Sequence, residues 1–242
     1  MRLPRVLIGV PTYEGKNYCY PEFARSISQI VTDGFEVKKV IVDNTDDGRN
    51  IKFLEQFGVF DEFIAIDCKG KHVNQKLADT HNLIREKTLA EGFDFMLHIE
   101  SDVFCPEDIL WKLYHHKKRI VSGWYMLHTG ANRYPIHCNW VMNGPFHFQL
   151  NQTHCYKYTM SPREVQKVGL VGIGACLMKA STLQAIPFRF DIENPVAPDT
   201  NFSKDAKDRN ISWWVDNTIH CYHANDLGWG TALDFVTDKL NK

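Results

Sequence analysis

The chain contains no CxxC pair and only seven cysteines, an odd set running from Cys19 to Cys221. That excludes the framework of a small secreted disulfide protein and predicts thiols that are mostly buried and reduced. Long apolar runs are missing too. The longest charge-free stretch near the start, Val6 to Tyr13, is interrupted by Gly9 and Pro11, too short for a signal h-region or a membrane span. The expectation is a soluble, cytoplasmic protein without a transmembrane segment. Charge of one sign is also lacking: Lys plus Arg number 28 against 29 Asp plus Glu, a formal net charge of -1, with no block of either. This argues against a dedicated nucleic-acid binder. No GxxxxGK[ST] follows any strand-like run, which excludes a P-loop. The glycines of VGLVGIG (168–174) precede a strand-like run and not a helix, so they are no dinucleotide fingerprint.

What is present is an ordinary globular composition, 44% hydrophobic and 24% charged over 242 residues. At roughly 100–200 residues per domain this is one large domain or two small ones, with a core that should bury roughly 70% of the unfolded surface. The first half alternates. RVLIGV (5–10), KKVIVDN (38–44), EFIAID (62–67) and FDFMLHIE (93–100) read as strands. Between them, a helix on PEFARSISQIVTDG sets Phe23, Ile27, Ile30 and Val31 on one face and stops at Gly34. IKFLEQFG is a short helix closed by Gly58; 73–91 is a longer one with Leu77, Ile84 and Thr88 on a stripe and Gly92 beyond it. PEDILWKLYHH (106–116) begins at a proline suited to a first turn. Strand and helix units repeating at about 30 residues predict βαβ crossovers: an α/β fold whose central mixed, mostly parallel sheet is flanked by helices.

The second half is less regular. From Ile120 to Val168 it carries Gly, Pro, His and aromatic residues without a period and reads as loops and antiparallel ribbons, apart from a fifth strand candidate at IVSG. ACLMK (175–179) and SWWVD (212–216) look like strands, Ser181 to Ala185 like a helix, and Asp191 to Asn210 is a polar segment. No linker separates two domains. We read 1–242 as a single domain, with a regular half to residue 117 and a less regular half from 118.

Ligands of an open parallel sheet bind beyond the carboxyl ends of its strands. The loops leaving the first, second and fourth strands carry Pro11-Thr12-Tyr13-Glu14, Asp43-Asn44-Thr45-Asp46-Asp47-Gly48 and Glu100-Ser101-Asp102. Asp43-Asn44 alone reads equally as an Asx-turn; convergence of three polar loops on one edge tips the balance to ligand binding. Glu100 and Asp102 offer hard oxygen donors suited to a divalent cation that could neutralise a diphosphate. Their alternative is an N-cap for the helix after Pro106.

The order VLIGVPTYEG, IVDNTDDG, FDFMLHIESD, GLVGIGACLMK, PDTNF and VDNTIHCYH, from Arg5 to about His223, resembles the GT-A (Rossmann-like) glycosyltransferases, in particular inverting family-2-like enzymes that use nucleotide-diphosphate sugars. The resemblance implies that Pro11, Thr12, Tyr13 and Glu14 line a nucleotide pocket, with Asp43 meeting the base and Asn44 beside it. Glu100-Ser101-Asp102 stands at the family's DxD, with Asp102 as metal ligand and Glu100 near ribose or metal. Asp199 in PDTNF matches the general base of the ED motif, with Pro198 in place of its acidic partner, and His223 matches a further metal ligand. The implied activity is sugar transfer, with inversion, to a hydroxyl acceptor on a glycan, protein or lipid carrier. Mixed carboxylate and imidazole ligation suits Mn²⁺ better than Mg²⁺.

Each of these residues has a plainer reading. Asp199 could be a helix N-cap, and a histidine is more often structural than a ligand, His220 included. His137-Cys138 and His154-Cys155 fit none of the usual zinc spacings. Core packing is the default for Trp140 and Trp213-Trp214, whereas Trp124, near the same sheet edge, could form an acceptor platform. Lys76, Asn82 and Arg85 lie on the helix before Glu100 and are read as solvated, or as facing the diphosphate. The rival functions are a non-catalytic nucleotide- or sugar-binding module and a nucleotidyltransferase, although PTYEGKN is a poor match to the latter's Gly-rich basic loop.

Overall fold

The computed structural model describes residues 2–129, 132–135, 165–170, 172–193 and 195–224. Its frame is an eight-stranded sheet. β1 (Arg5–Thr12), β2 (Glu36–Asp43), β3 (Glu62–Ala65) and β4 (Phe95–Ile99) form its parallel side, in the order β3-β2-β1-β4. The short β5 (Val103–Phe104) follows, and then β6 (Ile120–Trp124), β7 (Met126–Thr129), β8 (Asn132–Pro135), β9 (Val165–Val168), β10 (Ala175–Lys179), β11 (Trp213–His220) and β12 (Tyr222–His223). The sheet continues β4-β10-β6-β11-β9, with β10 antiparallel to both β4 and β6, and β9 antiparallel to β11. β7 and β8 form one antiparallel pair, β5 and β12 another.

Period-2 alternation gives the sheet two apolar faces. Val6, Ile8, Val10, Ile41, Leu97 and Ile99 join one core cluster; Leu7, Val40, Val42 and Met96 join the other. The first face is covered by α1 (Tyr20–Ser28), α2 (Ile51–Glu55) and α4 (Ile109–His115) through Tyr20, Phe23, Ile27, Leu54, Leu110 and Leu113. The second face is covered by α3 (Val73–Ala90), α5 (Ala180–Ala185) and α6 (Pro198–Asp208) through Ile84, Leu183 and Phe202. Each such side chain, fully buried, contributes about 1.5–3 kcal/mol. α3 lies so close to β1 that a Cβ on Gly9 would collide with Ile84 Cγ2.

Two element boundaries are corrected. α1 ends at Ser28 and does not run on to Gly34, because the Val31 N–H donates to the Glu107 carbonyl at 2.8 Å. A partner outside the helix captures the chain there, while Ile30 still reaches the core. The helix that the N-cap reading of Asp199 implies is present as α6, whose Phe202 and Ala206 are fully buried. Strand β11 also extends past SWWVD to His220.

Candidate active site

Because β1, β2 and β4 run in parallel, their carboxyl ends open on one edge, where a cavity of about 600 Å³ lies. Pro11, Thr12, Tyr13, Glu14, Asn44, Glu100, Ser101, Asp102 and His223 all line it. Pro11 costs the sheet no ladder bond on the β4 side, where pairing with β1 stops at Gly9. Asp43, at the end of β2, lies fully buried behind the lining. Its Oδ1 accepts from Thr45 Oγ1 and Asn50 Nδ2, each at 2.9 Å. Its Oδ2 is buried without a partner among the described residues, as is Thr12 Oγ1. Burial raises the Asp43 pKa.

Thr45 also ties the first loop to the second, since its Oγ1 accepts from the Glu14 N–H at 2.8 Å. The Glu14 carboxylate accepts from Arg49 Nη2 at 2.6 Å and from Arg49 Nε at 3.0 Å. Asn44 Nδ2 donates to Thr80 Oγ1 at 3.1 Å, fixing the second loop to α3.

The third loop is held by strand pairing across the sheet. The Glu100 N–H donates to the Gly174 carbonyl at 3.1 Å, and the Ala224 N–H to the Asp102 carbonyl at 2.8 Å. The second bond, with the β5–β12 pairing, brings His223 Nε2 to 3.2 Å from Asp102 Oδ2. The Lys16 ammonium also sits on Asp102 Oδ2. Burial opposes a charge on Asp102, but hydrogen bonding by His223 and the Lys16 charge outweigh it and hold the carboxyl below its usual range. Asp102 in return outweighs burial to raise both Lys16 and His223. Glu100 behaves oppositely: burial, then repulsion from Asp102, pushes it up to about 7. Two neighbouring carboxyls with separated affinities are a recurrent feature of functional sites.

Asp199 stands in the first turn of α6, where Ala197 and not Asp199 is the N-cap. Its Oδ1 accepts from the Thr200 N–H at 2.6 Å, burial raises its pKa, and its charge acts on Glu100 and Tyr125.

Of the other candidates, only Lys76 is at the cavity among the described residues. Trp124 is 6% exposed, and its Nε1 donates to the Asn217 carbonyl at 3.0 Å, so it belongs to the core and is no platform. His220 contacts the same Asn217 carbonyl at 2.9 Å. Asn82 and Arg85 are structural, bonding the Phe188 and Leu183 carbonyls at 2.6 Å each, while Lys76 lines the cavity and bonds Asp46 at 3.1 Å. Trp140 and the His137-Cys138 and His154-Cys155 pairs lie outside the described residues. The sequence reading missed Lys16, Arg49 and Lys71, all lining the cavity. Lys16 was signalled only by its place in the polar loop after β1. As the side chains stand, no three of His, Cys, Asp or Glu converge tightly enough to enclose a cation among the described residues. No helix among them is long and apolar enough to cross a membrane.

No protein-family model and no curated protein sequence matches the chain. Solved structures do. S. aureus TarS 1-349 in complex with UDP-GlcNAc superposes with a TM-score of 0.56 at 16% identity, covering 91% of this chain and 58% of that one. Its UDP complex gives 0.54 at 16% identity, covering 91% and 60%. A longer TarS structure gives 0.53 at 16%, covering 87% of this chain and 35% of that one. The chain thus spans between about a third and three fifths of the TarS chains it matches. At this identity the likeness is one of fold alone: a central, mostly parallel sheet flanked by helices, of the GT-A type.

Proposed function

We propose that the protein is a glycosyltransferase that moves a sugar from a nucleotide-diphosphate donor to a hydroxyl acceptor with inversion at the anomeric carbon. The observation that carries this reading is the cavity: loops after three parallel strands meet there with His223 at the GT-A sheet edge. The neighbours' complexes with UDP and UDP-GlcNAc support a nucleotide-sugar donor. We assign donor binding to residues 1–117 and acceptor binding to residues 118–242.

The donor chemistry of the site fits a divalent cation. Asp102 already holds positive charge from Lys16, and an imidazole and a second carboxyl stand beside it. With Lys16 released from Asp102, the carboxylates of Asp102 and Glu100 and the imidazole of His223 would hold Mn²⁺ or Mg²⁺. When bound, such an ion would supply charge neutralisation to a diphosphate leaving group. The chain's own residues do the rest. Lys16 and Lys76 bring positive charge to the cavity wall, Asn44 and Thr45 fix the nucleotide loops, and Asp199 accepts the proton of the acceptor hydroxyl.

The test is a thermal-shift series with UDP, GDP, ADP and UDP-GlcNAc, with and without Mn²⁺. Binding at a hundred times Kd contributes about 2.7 kcal/mol, so UDP should raise Tm most, and more with Mn²⁺. No shift with any nucleoside diphosphate at millimolar concentration would refute the reading. Binding of UDP-GlcNAc without turnover across a panel of hydroxyl acceptors would favour a binding module.

A further inference from the structure

Beside the cavity, the β5–β12 ribbon sets two thiols opposite each other. Phe104 pairs with Tyr222 and Val103 with His223 in antiparallel register, so the next rung joins Cys105 to Cys221. The Ala224 N–H donates to the Asp102 carbonyl at 2.8 Å, which makes that rung a hydrogen-bonded one. Antiparallel rungs alternate, so Cys105 and Cys221 share a non-hydrogen-bonded rung. In agreement, the Cys221 N–H points to the other side and donates to the Trp124 carbonyl at 2.8 Å. Such rungs bring Cα atoms to about 4.5 Å, with both side chains on one face, inside the span of about 4.4–6.8 Å that a disulfide bridges. Both thiols are free; Cys105 is buried and Cys221 is partly accessible. The hydrogen bond to Cys221, and then burial, keep the proton on Cys105. Cys221 is the sulfur that meets a reagent first.

We propose that Cys105 and Cys221 are a redox modification site, forming a reversible cross-strand disulfide with a small-molecule disulfide such as oxidised glutathione as the oxidant. The Cys221 thiolate attacks one sulfur of the reagent, whose S–S bond breaks and releases one thiolate. Cys105 then loses its proton to solvent, and its sulfur attacks that of Cys221 in the mixed disulfide, releasing the second thiolate. Two protein thiols are oxidised by two electrons, and one reagent disulfide is reduced to two thiols. The bond would fasten the strand carrying His223 to the segment after Asp102, holding the two together at the cavity edge. It depends on no assignment of the cavity's ligand.

The experiment uses the whole chain, reduced and then equilibrated in glutathione buffers from fully reduced to fully oxidised, quenched by alkylation and mapped by mass spectrometry after digestion. The expected result is a cross-link between the Cys105 and Cys221 peptides that appears with oxidation and is reversed by excess thiol. Cys105→Ser should leave Cys221 stopped at the glutathione adduct. Recovery of both peptides alkylated or only glutathionylated in the oxidised buffer would overturn the proposal, as would cross-links of either to a different cysteine. Because the cross-link is read in the unaltered chain, a poorly folding variant does not blunt the test.

Discussion

Replacing Lys16 by Met removes an ammonium from Asp102 while leaving His223 at 3.2 Å on the same oxygen. The pair is sheltered: the Asp102 side chain is 5% exposed and that of Lys16 28%. Exposed ion pairs contribute about 0.2–1 kcal/mol, and breaking a buried one costs about 3–5. With one member buried, the other a quarter exposed and His223 remaining, about 1.4 kcal/mol is a reasonable scale, a factor of about ten in an equilibrium constant. A divalent cation reaching Asp102 must displace this ammonium. Lys16→Met should therefore tighten Mn²⁺ binding in the absence of nucleotide by about tenfold. It also removes positive charge from the cavity wall, so UDP binding in the presence of chelator should weaken by a similar factor. The opposite signs separate this mechanism from general damage to the site. Mn²⁺ affinity is read by the spin-resonance signal of free ion, UDP affinity by calorimetry, and folding by circular dichroism. Lys16→Arg should restore UDP binding. Unchanged or weaker Mn²⁺ binding in a folded Lys16→Met protein would refute the competition between ammonium and metal.

Asp199→Asn keeps an acceptor oxygen for the Thr200 N–H but cannot take a proton, so turnover should fall by about 10²–10⁴ with Tm and donor binding little changed. Wild-type turnover in Asp199→Asn, beside Asp191→Asn and Asp205→Asn controls, would place the base elsewhere. Stability should depend on pH through the buried His81–His98 pair, whose ring nitrogens lie 3.0 Å apart. Burial depresses His98 from 6.5 to about 4 and His81 well below its usual value. The unfolded chain binds these protons first, so the stabilisation is complete above 6.5 and is lost as pH falls from there toward 4. His98 alone should remove about 1.3 kcal/mol between pH 7.5 and 5.5, read from urea midpoints. Glu100 and His223, both raised, gain stability over the same fall in pH. The share of His98 is therefore read as the difference between the wild-type and His98→Gln profiles, and parallel profiles would show that it is not held neutral.

Much of the fold was legible because local pattern and global architecture agree in the first half. Runs such as RVLIGV and FDFMLHIE are strands because both faces of the sheet are covered. Gly58 and Gly92 mark helix ends because each takes a positive φ, 59° and 69°. The misread boundaries have tertiary causes. Val31 leaves the helical course for a hydrogen bond to Glu107, and β11 runs past SWWVD because His220 still finds a partner in Trp124 on β6. Trp124 looked available for a ligand because sequence marks its nearness to the sheet edge but not the Asn217 carbonyl that holds its indole.

Sequence alone placed three loops at the cavity, because a parallel strand order sends the loops after β1, β2 and β4 to one edge whatever lies between them. It did not determine how their charges are partnered. Lys16 and His223 lie at opposite ends of the chain, and their meeting on Asp102 Oδ2 depends on the loop after β1 and on the rung between β5 and β12. The rise of Glu100 beside an ionised Asp102 likewise comes from burial and a short separation. Both are properties of distance and dielectric, which pattern along a chain does not carry and packing alone decides.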